Sequence, residues 1–235
     1  GFAVTLGLIA LVGGPMYFFC RDAKSAFYAT DGMVCVAVSW LVLSLVGAIP
    51  FYVSEAIPSY IDALFETVSG FTTTGATVLT QFDDLPRGII FWRSFTHWIG
   101  GMGVLVFVMM VMPMENDNSM HLVRAEVPGP TAGKLVPRMR TTSMILYGIY
   151  AAMTMILLVL LLLGGMPLFD SFCIAFGTAG TGGFAVSSAG VAGYHSAYIE
   201  ILLGIFMLLF GVNFNVYHLL LLGKVKDALK SEEVK

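Results

Sequence analysis

Long apolar runs separated by short polar breaks dominate this chain. Five of them, Phe2–Phe19, Gly32–Val53, Gly88–Met112, Thr141–Leu163 and Ala197–Leu222, have the length of a membrane-spanning helix, roughly 17–25 residues. Two further apolar stretches, Pro58–Phe71 and Pro167–Ala179, are too short to cross. Each carries a proline at its start and an acid close behind, Asp62 and Asp170. Both features suit the first turn of a helix, where the proline lacks only an orphan N–H and the acid meets the positive end of the dipole. Each short stretch runs into a Gly/Thr-rich loop, Thr67–Val78 in the first case and Phe176–Val186 in the second. Unwound backbone at membrane depth is tolerated only where protein buries it or where it lines a watery path. Two such loops, each between two spans, suggest a pore.

Composition agrees with this pattern. Hydrophobic residues make up 57% of the 235 and charged residues 11%, and the mean hydropathy is +0.86. A soluble domain carries roughly 25% charged residues, so the pattern is that of an all-α integral membrane protein. The basic residues lie in short loops between spans, and no nucleic-acid face is visible. Cys20, Cys35 and Cys173 show neither metal-ligand spacing nor a disulfide framework and read as apolar packing residues. Enzyme chemistry is not indicated. Ser94 and His97 stand three apart on one helix, but there is no Gly-x-Ser-x-Gly elbow and no His-Glu-x-x-His. His97, His121, His195 and His218 form no ligand set and read as interface or loop residues.

Charge distribution orients the chain. Of the twelve Lys and Arg, ten lie in the Arg21–Asp31 loop, the Pro113–Arg140 segment and the tail; Arg87 lies on the other side and Arg93 within a span. The positive-inside rule makes the ten cytoplasmic. The half-length helices then enter from outside, the N-terminus lies outside and the C-terminus is cytoplasmic. Five segments follow: a peripheral span and loop (1–31), a first helix–loop–helix unit (32–112), a cytoplasmic linker (113–140), a second unit (141–223) and a cytoplasmic tail (224–235). The opening run is no signal peptide, since it lacks a basic leader. The chain reads as a piece of a longer protein.

The two units repeat. Sliding the sequence so that Asp62 falls on Asp170 also brings Gly75 onto Gly183, Val78 onto Val186, Gly103 onto Gly211 and Val104 onto Val212, with no gap from half-helix to the middle of the following span. The loops contain no acid, so a cation would be coordinated by backbone carbonyls rather than by a carboxylate ring. Glycine permits the positive φ that turns neighbouring carbonyls one way, and the half-helices aim their negative ends inward. A hard monovalent cation fits this apparatus. Glu55, Asp83 and Asp84 at the outer mouth either concentrate cations or are simply solvated. Close helix packing is the alternative use of Gly/Thr clusters.

Asp62-Ala-Leu-Phe-Glu-Thr-Val-Ser-Gly-Phe-Thr-Thr-Thr-Gly-Ala-Thr-Val78 resembles the first filter of the Trk/Ktr/HKT superfamily of potassium transporters, most closely the Trk-type membrane subunit. Trp92-Arg-Ser-Phe-Thr-His-Trp-Ile-Gly-Gly-Met-Gly103 resembles the helix that follows it, and Gly180-Thr-Gly-Gly-Phe184 the second filter. The resemblance implies a channel-like fold of four helix–pore loop–helix repeats around one pore, of which this chain holds the N-terminal two. It implies potassium uptake, in channel or symporter mode, across the cell inner membrane. The ion would bind at Thr73, Thr74, Gly75 and Ala76 in the first loop and at Thr181, Gly182, Gly183 and Phe184 in the second. Gly75 and Gly183 would be the key glycines, with Gly182 as the rival in a register shifted by one, and serine at either should impair selection similarly. Implied partners are membrane lipid, the missing third and fourth repeats, a second copy in a homodimer and a cytoplasmic nucleotide-binding regulatory subunit. No cofactor is implied beyond the transported K+. A sodium-permeable transporter of the same family and a non-conducting assembly module are the competing readings. Arg93 reads as an interface-snorkelling group, a partner of Glu66 or a transport residue. Asn213 and Asn215 read equally as cavity-lining or as interhelical hydrogen-bonding residues. Met109, Met110 and Met112 read as packing.

Overall fold

The computed structural model describes residues 1–20, 29–103, 139–221 and 223. Among them the chain is all-helical: α1 (Phe2–Cys20), α2 (Ala29–Val53), α3 (Tyr60–Phe71), α4 (Arg87–Gly101), α5 (Met139–Leu163), α6 (Leu168–Ala179), a 3-10 turn (Val191–Tyr194), α7 (Ala197–Gly211) and α8 (Phe214–Leu221). The Pro113–Arg140 linker with its basic residues, save the start of α5, the loop 21–28, the Met-rich run and the lysine tail lie outside the described residues, as do the side chains of Cys20, Cys35 and Asn215. Two apolar stretches are long enough to cross a membrane, Val36–Val53 in α2 and the 20-residue Met144–Leu163 in α5.

The half-length helices form as expected, with one adjustment each. Ser59 caps α3, its Oγ accepting from the Asp62 amide at 3.4 Å. Pro58 therefore precedes the cap instead of occupying the first turn. Pro167 holds the corresponding cap position of α6. Each helix is 12 residues long, about 18 Å at 1.5 Å per residue, well short of a hydrocarbon core of about 30 Å.

The third and fifth spans are not continuous. α4 ends at Gly101, followed by Met102 and by Gly103 at φ +79°. α7 ends at Gly211; Val212 is extended and α8 restarts at Phe214. Asn213 sits in that second break, where its carbonyl accepts from the Val216 amide at 2.9 Å.

The offset that places Asp62 on Asp170 carries α3 onto α6 and the first loop onto the second. It does not carry α4 onto α7. Those two helices are both 15 residues long and pair Arg87 with Ala197 and Gly101 with Gly211. The connection from loop to following helix is therefore longer by two positions in the second unit, and this overturns the ungapped alignment of Gly103 with Gly211. Residue identity alone could not reveal it, because glycines recur on both sides of the insertion.

Each unit has its own core. Ala48, Phe51, Ile57, Ala63 and Ile89 close the first; Tyr150, Leu157, Leu161, Ile174, Ile199, Leu203, Phe206 and Phe210 close the second. α4 joins them. Its Phe91, Phe95 and Trp98, at helical spacing, lay their rings on Phe176 of α6 with centroids 5.8, 5.9 and 5.4 Å apart. Backbone anchors lock the frame: Trp92 Nε1 donates to the Gly47 carbonyl at 3.0 Å, and Tyr150 Oη to the Trp98 carbonyl at 2.9 Å.

Candidate functional site

The two Gly/Thr loops are built the same way. α3 closes with the amides of Thr72, Thr73 and Thr74 donating to the carbonyls of Val68, Gly70 and Ser69. α6 closes with Gly180, Thr181 and Gly182 donating to Phe176, Thr178 and Gly177. Every partner in the second set is the repeat equivalent of its counterpart in the first. Backbone dihedrals repeat too: Thr73 and Thr181 are both at φ +55°, Gly75 and Gly183 both at φ +76°. The left-handed glycine of the second loop is thus Gly183, and Gly182 is not in that region.

A positive φ at threonine is unfavourable, because its branched Cβ crowds the backbone. Such strain persists only where the surroundings over-determine it, and it collects at functional sites. Among the described residues, none of the carbonyls of Thr73, Thr74, Gly75, Thr181, Gly182 and Gly183 accepts a hydrogen bond. Six unpaired carbonyls in two matched loops are an array of oxygen donors, able to replace part of the hydration shell of a cation. The half-helix C-termini behind them add negative potential.

The remaining two predicted site residues sit differently. Ala76 gives its carbonyl to Ser69 Oγ. Phe184 is buried, its ring stacked on His97 at 3.8 Å between centroids and 14° between planes. Its carbonyl lies over Gly177, where a Cβ would be 3.1 Å from it. Position 76 is thus tied by a hydrogen bond to residue 69 of its own half-helix, and position 184 packs closely against the equivalent residue, 177. The loops also meet each other, since a Cβ on Gly75 would overlap the Gly182 carbonyl.

α4 supports both loops. Small residues let it approach: side chains built on Gly70, Gly100 and Gly180 would overlap or crowd Thr96, the Phe71 carbonyl and the His97 carbonyl. His97 is fully buried against Gly182 and Phe184. That corrects its assignment to an interface or loop; Gly180 and Gly182 open the slot that it fills. Of the readings open to Arg93, pairing with Glu66 is the one observed. Glu66 and Arg93 are both buried and joined through Nε and Oε1. Glu66 also accepts from Thr77 Oγ1 at 2.9 and 3.0 Å and from the Val78 amide at 3.1 Å. Arg93 also donates to the Ala185 carbonyl at 3.0 Å and lies 3.6 Å over the Phe184 ring. Sequence reasoning did not foresee the links to Thr77, Val78 and Ala185.

Outside the loops, the Phe82 amide donates to Ser188 Oγ at 3.2 Å and the Ser188 amide to Asp83 at 3.4 Å. Asp83 thereby helps to join the segment that follows the first loop to the one that follows the second. Tyr194 Oη donates to Asp170 at 2.8 Å. Burial, and then that bond, raise the tyrosine above its ordinary value.

The model of the TrkH cation transport protein family matches residues 2–234. The chain is 37% identical over 225 residues to the Trk system potassium uptake protein TrkH of Salmonella typhimurium, covering 95% of this chain and 47% of that protein. It is 33% identical over 237 residues to TrkG of Escherichia coli K12, covering 100% and 49%. The crystal structure of the potassium transporter TrkH from Vibrio parahaemolyticus superposes with a TM-score of 0.79 at 31% identity, over 97% of this chain and 46% of that one. The chain spans about half the length of the relatives it matches. These relatives are membrane transporters, not enzymes, and the chain belongs to the TrkH family of cation transport proteins.

Proposed function

We propose that this chain supplies two of the four filter loops of a potassium uptake pore. Thr73, Thr74, Gly75, Thr181, Gly182 and Gly183 present carbonyl oxygens to K+, while Ala76 and Phe184 anchor the loops. The observation that carries this reading is the set of six unpaired carbonyls in loops that share the same strained dihedrals. At membrane depth such groups need a partner from outside the backbone, and a dehydrated cation provides one. The names of the relatives, potassium uptake proteins, favour K+ over Na+.

The remaining units would continue the joint seen between α4 and α6. The residues of α7 equivalent to Phe91, Phe95 and Trp98 are Ile201, Ile205 and Leu208, which are 63%, 50% and 76% exposed. A third half-helix fits this stripe. The wider assembly in this reading is a homodimer in the cell inner membrane, with the C-terminus cytoplasmic and facing a nucleotide-binding regulatory subunit.

The test is ion flux and reversal potential of the assembled transporter in liposomes under bi-ionic K+/Na+ conditions. Selective K+ flux is expected. Equal permeability would favour the sodium-permeable alternative, and no flux in any gating condition would favour an assembly module.

A further inference from the structure

We propose that Glu66 and Arg93 act as one clamp that fixes the two loops relative to each other, making them positioning residues for ion selection. The inference rests on the reading of the loops as a filter. Thr77 and Ala185 are equivalent positions in the repeat, each two places beyond a left-handed glycine. Glu66 holds the first through Thr77 Oγ1 and the adjoining Val78 amide. Arg93 holds the second through the Ala185 carbonyl at 3.0 Å, with its guanidinium also against the ring of the preceding Phe184. The ion pair closes the connection between them. A single chain of bonds thus runs from the end of one loop to the same point on the other.

Chemistry favours this role over simple stabilisation. Both side chains are within a few per cent of full burial, and a buried ion pair is weak evidence for stability because desolvation offsets the attraction. Arginine suits the position because its planar fork aims several donors in fixed directions, so that one side chain grips a carboxylate and a carbonyl together. Lysine offers a point charge without that fork. The second unit has no equivalent: Ile174 and Leu203 stand where Glu66 and Arg93 stand in the first, and both are buried in its apolar core. One unit therefore supplies the clamp for two loops.

The experiment compares Thr77→Val, Arg93→Lys and Gly75→Ser in the assembled transporter, reading the K+/Na+ permeability ratio and the membrane abundance of each. Thr77→Val removes, from an exposed residue, the hydroxyl that donates to Glu66 and accepts from the Leu79 amide, and Arg93→Lys keeps the charge. Both are expected to lower the ratio about threefold or more at parental abundance, part of what a hydrogen bond to a charged group contributes. A purely structural pair would change abundance and leave the ratio of the surviving protein alone. The clamp is refuted if Gly75→Ser lowers the ratio while Thr77→Val and Arg93→Lys keep the parental one. It is refuted too if Arg93→Lys abolishes assembly and Thr77→Val keeps the ratio, which would make the pair a folding element. If Gly75→Ser also keeps the ratio, the filter reading itself fails.

Discussion

Thr73 and Thr181 hold the same left-handed backbone conformation, φ +55° in each, at equivalent places in the two units. A β-branched residue reaches that region at a cost of roughly 1–2 kcal/mol, and this chain accepts the cost twice. Glycine would relieve it, losing in exchange about 0.5–1 kcal/mol of chain entropy. Thr73 makes no side-chain hydrogen bond among the described residues. Thr73→Gly is therefore expected to leave thermal stability in detergent unchanged or raised by up to about 1 kcal/mol. A clear fall in the unfolding midpoint would mean that the loop does not strain this residue.

Gly75 and Gly183 share φ +76° but not their surroundings. A Cβ on Gly75 would overlap the Gly182 carbonyl, whereas on Gly183 it would meet only Met207 Cε at 3.6 Å. The sequence suggested equal effects for serine at the two positions. The structure separates them. Gly75→Ser combines the left-handed penalty of about 1–2 kcal/mol with a backbone clash, and should lower the K+/Na+ permeability ratio by about tenfold or more. Gly183→Ser bears the dihedral penalty and should lower it less. Bi-ionic reversal potentials decide; the opposite ranking would contradict the loop contact.

Gly100 faces the Phe71 carbonyl at the end of α3, with no room for a side chain. Gly100→Ala should destabilise the protein by about 1–3 kcal/mol, as overpacking does, seen as a lower melting temperature or reduced membrane abundance. Gly148 on α5 has open space around its Cβ position, so Gly148→Ala is the matched control and should be neutral or stabilising. Equal loss from both would show that α4 does not rest on the first loop.

Orientation is open to a direct measurement. By the positive-inside rule, the ten-to-one division of basic residues outside the spans would put 113–140 on the cytoplasmic side. Single cysteines at Asp84 and Lys134 are expected to react with an impermeant thiol reagent in intact cells at the first position only. Labelling at Lys134 alone would invert the topology.

Much of this was legible from hydrophobic pattern and local chemistry. The half-helices were marked by prolines, first-turn acids and apolar runs of insufficient length. The loops were marked by a density of glycine and threonine that no lipid-facing helix carries, and Gly75 and Gly183 by their common offset. What escaped was long-range. The helix breaks after Gly101 and Gly211 fall among glycines and, in the second case, beside Asn213, but a reading by hydropathy averages over them and gives one continuous run. A short insertion in a polar connection is invisible to a shift scored on the loops. The burial of His97 depends on Gly180 and Gly182, in the other unit, and pattern carries no information over that separation. Arg93 was recognised as anomalous and Glu66 as one possible partner, but the grip on Ala185 comes only from how the units fold together.

The joint between the two units has a direction. Its male half is the stripe Phe91, Phe95 and Trp98 on α4, and its socket is Phe176 on α6. On α7 the corresponding stripe, Ile201, Ile205 and Leu208, is bare; on α3 the counterpart of Phe176 is Val68, 39% exposed, with Ile61 a further two turns back and 76% exposed. The two free flanks of the pair are thus the two halves of the joint in its middle. Contacts of this head-to-tail kind are extended by adding another unit in the same rotational sense, closing into a ring when the rotation allows. A second copy turned face to face about a two-fold axis cannot complete them, because it presents each half of the joint to its own like.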